Sequence, residues 1–144
     1  MLSDLESGKL KFLNLSREAS GVNTDARAGY QLATHASPLT IHFSFFTVSG
    51  HTNSMMLPKI NYNGKTIVFM ADLLPSAAHI PLPYVMAYDM FPLTTLNEKK
   101  LFLTEAEQNN YVLFFEHDPL NECCTLQMTE KGIRVKETFK LSEL

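Results

Sequence analysis

The chain has 144 residues, 45% of them hydrophobic, with a formal net charge of −3 and its 12 Lys and Arg scattered. That is enough for one modest core, argues against two independent domains, and leaves no basic stripe for a nucleic-acid backbone. The start MLSDLESGKL has acidic residues where a signal peptide needs a basic and then an apolar stretch, and no apolar run approaches the roughly 18 residues of a membrane span, so the reading is a soluble, cytoplasmic protein without nucleic-acid or membrane partners.

Residues 1–40 mix Ser, Asn, Gly, Arg and Ala with little apolar periodicity; they are expected to be a poorly defined segment in which Leu10, Phe12, Leu13 and Leu15 offer a short strand. From residue 41 the pattern sharpens. Ile41, Phe43 and Phe45 alternate with His42, Ser44 and Phe46, predicting a strand over 41–49 that ends at Ser49-Gly50. Residues 55–62 and 65–71 flank Asn63-Gly64, the dipeptide that best tolerates the positive φ angles of a type I′ turn, and predict a hairpin. Its second arm, Ile67-Val68-Phe69-Met70, is apolar without alternation, as a strand buried on both faces would be. It ends at Ala71-Asp72, so a carboxylate emerges at the carboxyl end of a core strand.

Pro75, Pro81, Pro83 and Pro92 deny the next stretch a long regular helix and predict a shaped loop, the kind of segment that often lines a site. Thr95 and Glu98 fit a capping box at the start of a 95–110 helix, with Leu96, Phe102, Leu103 and Ala106 on the side that covers a sheet. Residues 111–116 read as another buried strand running into Glu116-His117-Asp118-Pro119; 123–129 and 133–138 read as a hairpin turning at Glu130-Lys131-Gly132. Cys123 and Cys124 are adjacent, which rarely permits a strain-free disulfide and is not zinc-knuckle spacing, so both are expected to be reduced. The fold class is α+β: a largely antiparallel sheet with one helix packed on a face.

Three candidate metal ligands follow strands: His51, Asp72 and His117. Imidazole and carboxylate oxygen suit zinc or iron, and strand ends can hold them rigidly around one cleft. By spacing alone the signal is weak, and His35 and His42 are read as ordinary structural or surface histidines.

The run SGHTNSMMLPKINYNGKTIVFMADLLPSAAHIPLPYVMAYDMFPLTTLNEKK, with YVLFFEHDPLNECCTLQMTEKGIRV after it, resembles the C-terminal part of metallo-β-lactamase-fold metal hydrolases. The resemblance implies that Gly50-His51-Thr52 supplies a ligand to a first metal. It implies that Asp72, in MADLL, bridges two metals as the catalytic carboxylate, and that His117, in FFEHDP, binds the second. Residues 41–144 would then be the C-terminal half of an αβ/βα sandwich. The upstream HxHxDH motif of that family is not found in the sequence: His35 and His42 are seven apart, where the motif needs imidazoles two apart and an aspartate straight afterwards. Each implied metal position therefore has two ligands where a catalytic zinc usually has three.

The implied activity is hydrolysis of an ester, thioester, amide or phosphodiester of an unidentified small molecule, with one or two zinc ions as cofactor and iron or manganese left open. The alternative is a truncated, non-catalytic relic or interaction module. Half a sandwich exposes a sheet face that the other half would cover, which favours a homo-oligomer or a complex with a separate N-terminal half. His79, Tyr84, Tyr88 and Asp89 are candidates for the wall or lid of a substrate pocket, against the plainer reading of a proline-shaped loop. Glu116 and Asp118 are candidates to orient the His117 ring.

Overall fold

The computed structural model describes residues 12–14, by their backbone, and residues 43–144. They form one sheet of seven strands laid down in sequence order: β1 (Phe12–Asn14), β2 (Phe43–Val48), β3 (Met55–Tyr62), β4 (Lys65–Phe69), β5 (Val112–Phe114), β6 (Cys123–Thr129) and β7 (Gly132–Phe139). Helix α1 (Pro92–Gln108) lies between β4 and β5 in the chain. The remainder of the expected 1–40 segment, His35 included, and the first two residues of the expected 41–49 strand, Ile41 and His42, lie outside the described residues. Neighbouring strands are antiparallel except β4 and β5, which pair in parallel with Ile67 opposite Val112 and Phe69 opposite Phe114. Parallel neighbours need a crossover connection, and α1 lies in it. The α+β class and the largely antiparallel sheet with a helix on one face are as the sequence predicts.

Chain direction decides where the loops go. Two antiparallel steps separate β2 from β4, so these strands run the same way, and β5 runs with β4. The carboxyl ends of β2, β4 and β5 therefore share one edge of the sheet, the edge at which open α/β sheets usually bind their ligands. His51, Asp72 and His117 each follow one of those three ends.

The turns obey local chemistry. Asn63 and Gly64 take φ of 50° and 73°, as a type I′ hairpin turn requires. Gly132, at φ 88°, takes the left-handed position after Glu130-Lys131 and opens β7 opposite Thr129. The helix differs from expectation at its start: it begins at Pro92, and Thr95 and Glu98 lie inside it rather than forming a capping box. Proline is favoured there because its φ is already helical and the N–H it lacks would be unpaired in a first turn. At the other end Asn110 takes φ 53°, and the N–H groups of Tyr111 and Asn110 return to Ala106 O (2.9 Å) and Glu107 O (3.3 Å). This pair of bonds is a Schellman motif.

Thr95, Lys99, Phe102, Leu103 and Ala106 are the buried face of α1. Phe102 stacks on Phe46 of β2 with ring centroids 5.3 Å apart, and Leu57, Val68, Leu113 and Leu126 complete the core between helix and sheet. Leu96, expected on that face, is only half-buried. The opposite face carries a smaller cluster of Ile67, Val112 and Cys123, with Ile60, Phe114 and Phe139 half-buried around it. Both cysteines are buried and free. Among the described residues no helix is long and apolar enough to cross a membrane.

Candidate metal centre

Each of the three candidate ligands is aimed by a local device. After β2 the chain turns at Ser49-Gly50, whose N–H groups both donate to the Glu98 carboxylate, at 2.7 and 3.0 Å. The N–H groups of Phe91 and Met90 donate to Gly50 O (2.8 Å) and His51 O (3.2 Å), so the His51 loop is held from the α1 side by side-chain and backbone bonds together. Burial pushes the Glu98 carboxyl above its ordinary range, and the two backbone N–H groups counter part of that rise.

Asp72 follows β4 through a tight turn closed by Leu73 N–H donating to Met70 O at 3.1 Å. Ala71, inside that turn, has φ 40°, a left-handed conformation that residues other than Gly and Asn rarely take. Backbone strain of this kind persists where the surroundings over-determine it. Here Ala71 is buried at the end of a core strand, and Met70 N–H extends the parallel ladder to Phe114 O at 2.9 Å.

His117 follows β5, and its own N–H donates to Pro75 O at 3.2 Å. Asp118, expected to orient the His117 ring, organises the loop instead: it accepts the N–H groups of Ala77, Leu120 and Asn121, each at 2.9 Å. Partial burial pushes its carboxyl up, but these N–H groups and the Asn121 amide outweigh that and hold it below the usual range. Glu116 approaches His117 Nε2 only to 4.0 Å, beyond hydrogen-bond reach.

The three side chains converge on Asp72. His51 Nε2 lies 3.4 Å from Asp72 Oδ2, and His117 Nε2 lies 3.5 Å from Asp72 Oδ1. One carboxylate thus presents each of its oxygens to a different imidazole. Imidazole and carboxylate oxygen are donors that would suit zinc or a similar divalent cation. Among the described residues no three His, Cys, Asp or Glu are placed to hold a single ion together.

The four pocket candidates separate. Tyr88 and His79 line a cavity of about 410 Å³ beside His117, with Pro75, Ser76, Val85 and Met86. Tyr88 also stands edge-on to the His51 ring, with centroids 6.0 Å apart. His79 Nδ1 is 2.9 Å from Ser76 Oγ, and burial, aided by the Lys99 ammonium and opposed by Asp89, pushes its pKa down. Tyr84 and Asp89 do not line this cavity. Tyr84 points to solvent, while its carbonyl accepts a bond from Lys99. Asp89 is buried behind His51, with Oδ1 2.9 Å from His51 Nδ1.

Lys99 and Glu98 carry more of this region than their sequence positions suggest. Lys99 is fully buried and donates to the carbonyls of Pro81 (2.8 Å), Leu82 (3.2 Å) and Tyr84 (2.7 Å), clasping the proline-rich loop to the helix. The sequence does carry a signal for it, since Lys99 is four residues after Thr95 and three before Phe102, on the apolar stripe.

Neither a scan of family models nor a search of curated proteins found a match to the sequence. Solved structures are similar in fold. A probable metal-dependent hydrolase from Staphylococcus aureus superposes with a TM-score of 0.61 at 23% identity, covering 76% of this chain and 38% of that one. AidC, a dizinc quorum-quenching lactonase, gives 0.60 at 20% identity over 73% of this chain and 36% of its own. The hydrolase AbOPH, of the beta lactamase superfamily, gives 0.56 at 19% identity over 67% and 35%. The chain spans little more than a third of the length of these structures, and over that span it shares their fold.

Proposed function

We propose that the chain contributes half of a two-metal hydrolytic centre, in which His51 and Asp72 hold one cation and Asp72 and His117 the other. The observation that carries this reading is the Asp72 carboxylate, whose two oxygens face two imidazoles from different strand ends at 3.4 and 3.5 Å. Zinc fits the donors first, and iron or manganese accept the same set. A cation bound there supplies Lewis acidity toward a carbonyl or phosphoryl oxygen and a water of lowered pKa. Asp72 shares its oxygens between the two positions, and His51 and His117 supply one imidazole each. Among the described residues each position has two protein ligands, one short of the usual catalytic complement, and the reading assigns the further ligands to an N-terminal half bearing an HxHxDH motif.

The cavity beside His117 receives the substrate, with Tyr88 and His79 in its wall. Its lining among the described residues carries no Lys or Arg, which favours an uncharged ester, thioester or amide over a phosphodiester. An equilibrium zinc titration of the chain alone and mixed with the N-terminal half of a metallo-β-lactamase-fold hydrolase, followed by ester and phosphodiester assays, tests this function. The expected result is weak zinc binding alone, tighter binding and ester hydrolysis in the mixture, and loss of that gain in His51→Ala or His117→Ala. Zinc binding that ignores both substitutions would overturn the reading.

A further inference from the structure

Among the described residues Asp89 is a buried carboxylate with one side-chain partner. Its side chain is 1% exposed, Oδ1 meets His51 Nδ1 at 2.9 Å, and Oδ2 is buried with no hydrogen-bond partner among those residues. Burying a carboxylate this incompletely satisfied is costly, and the surrounding packing gives no return that an apolar side chain would not. Lys99 is the buried cation among the described residues, but its three hydrogen bonds there go to the carbonyls of the 81–84 loop. Lys99 acts on Asp89 through its charge alone. His51 is what Asp89 touches.

The contact is also fixed in position. Met90 N–H donates to His51 O and Phe91 N–H to Gly50 O, so the backbone just after Asp89 is laid against the backbone of His51. A carboxylate can only accept, so Nδ1 must donate to it, which leaves Nε2 turned toward Asp72 Oδ2 at 3.4 Å. We infer that Asp89 is the positioning residue of His51: it fixes the imidazole's rotation and tautomer, so that Nε2 is the nitrogen offered to a metal. This rests on the reading of His51 and Asp72 as one metal position. A second hydrogen bond of this kind orients a ligating imidazole and raises its basicity, and its removal typically costs about 10–100-fold in metal affinity.

Two measurements on the full chain test it, with Asp89→Asn and Asp89→Ala as variants and thermal unfolding as the check that each still folds. The first needs no metal: in nitrogen-15 NMR of the metal-free chain, the His51 Nδ1 proton should be resolved and shifted downfield. It should move upfield in Asp89→Asn and vanish by exchange in Asp89→Ala. The second is a competition titration with zinc, in which both variants should bind about 10–100-fold more weakly than the native chain. A His51 Nδ1 proton indifferent to both substitutions overturns the inference, as does unchanged zinc affinity. A native chain that takes up no zinc sinks the metal reading by itself, and the NMR result then decides the role of Asp89 alone. If Asp89→Ala fails to fold, the nearly isosteric Asp89→Asn carries both measurements.

Discussion

Gly50 passes so close to Thr95 that a β-carbon built on it would stand 2.5 Å from the Thr95 Cα. The obstacle is helix backbone, which cannot rotate away as a side chain can. Gly50→Ala should therefore push the His51 loop off α1 and destabilise the chain by about 1–3 kcal/mol or more, the usual cost of overpacking. Urea unfolding should show a lower midpoint, and the His51 ring resonances should shift. A midpoint and ring shifts equal to the native chain's would mean that the loop has slack which the close approach does not suggest.

The same loop depends on Glu98, which accepts the N–H groups of Ser49 and Gly50. Glu98→Ala leaves both N–H groups without a partner in a half-buried turn, and hydrogen bonds to a charged group are worth about 1.5–3 kcal/mol each. A loss of at least about 2 kcal/mol in chemical unfolding is expected, with Glu98→Gln intermediate because an amide oxygen can accept while its NH₂ cannot. A Glu98→Ala chain as stable as the native one would show that water takes over both bonds.

These two contacts mark the limit of what the sequence discloses. Strand positions are legible because Phe43, Ile67-Val68 and Val112-Leu113 carry periodic or continuous apolar patterns, and the Asn63-Gly64 turn because few other dipeptides take two positive φ angles. Glu98 is legible as a helix-start residue but not as the acceptor for a loop nearly fifty residues earlier. Local spacing carries no information about a contact at that separation, and Pro92 has already started the helix. For Asp89 the sequence gives the neighbourhood without the role. A pattern shows that an acid lies in a loop, and only the tertiary fold shows which side of His51 it occupies. Lys99 falls on the buried face by its spacing, yet a lysine reads first as a solvated residue, because lysines are almost never fully buried unless paired.

Lys99→Met removes three donors from the carbonyls of Pro81, Leu82 and Tyr84 and leaves Asp89 without its buried counter-charge; a loss of about 3 kcal/mol is expected, since breaking a buried charged arrangement usually costs that much or more. Burial pushes the Lys99 ammonium down to about 8 from 10.5, with Asp89 opposing. Between those pH values the unfolded chain binds the extra proton, so the native chain gains stability as pH rises through this window, whereas the Met variant has no such gain. The stability gap between the two should widen from pH 8 to pH 10. A narrowing gap would show that the carbonyl clasp holds the proton more firmly than burial expels it.

Cys123 and Cys124 should be chemically silent in the folded chain. Burial pushes the Cys123 thiol up to about 11, aided by the Glu122 charge, and the Cys124 thiol up to about 12, aided by Cys123 and Asp118. The thiolate is the reactive form, and neither thiol is exposed. At pH 8 a disulfide reagent should therefore release nothing from the native chain over minutes, and react with both thiols of each chain in guanidinium chloride. Rapid reaction under native conditions would indicate that the edge formed by β6 and β7 opens readily.

The arrangement around Asp72 makes a distinction between variants that ligand counting alone does not. Each Asp72 oxygen faces one imidazole, so His51→Ala should weaken one metal position and His117→Ala the other, while Asp72→Ala should weaken both at once. On the proposed two ligands per position rather than three, the purified chain should hold less than one tightly bound metal and show no metal-dependent hydrolysis of generic ester or phosphodiester substrates. Cobalt substitution read by visible absorption, in the presence of an N-terminal half carrying HxHxDH, resolves the two positions. Each histidine variant should lose part of the signal, and Asp72→Ala nearly all of it. The chain alone carrying one or more equivalents of zinc and hydrolysing ester, with both properties lost in Asp72→Ala, would mean that the centre is complete without the upstream histidines. Equal partial losses in all three variants would mean that Asp72 does not bridge.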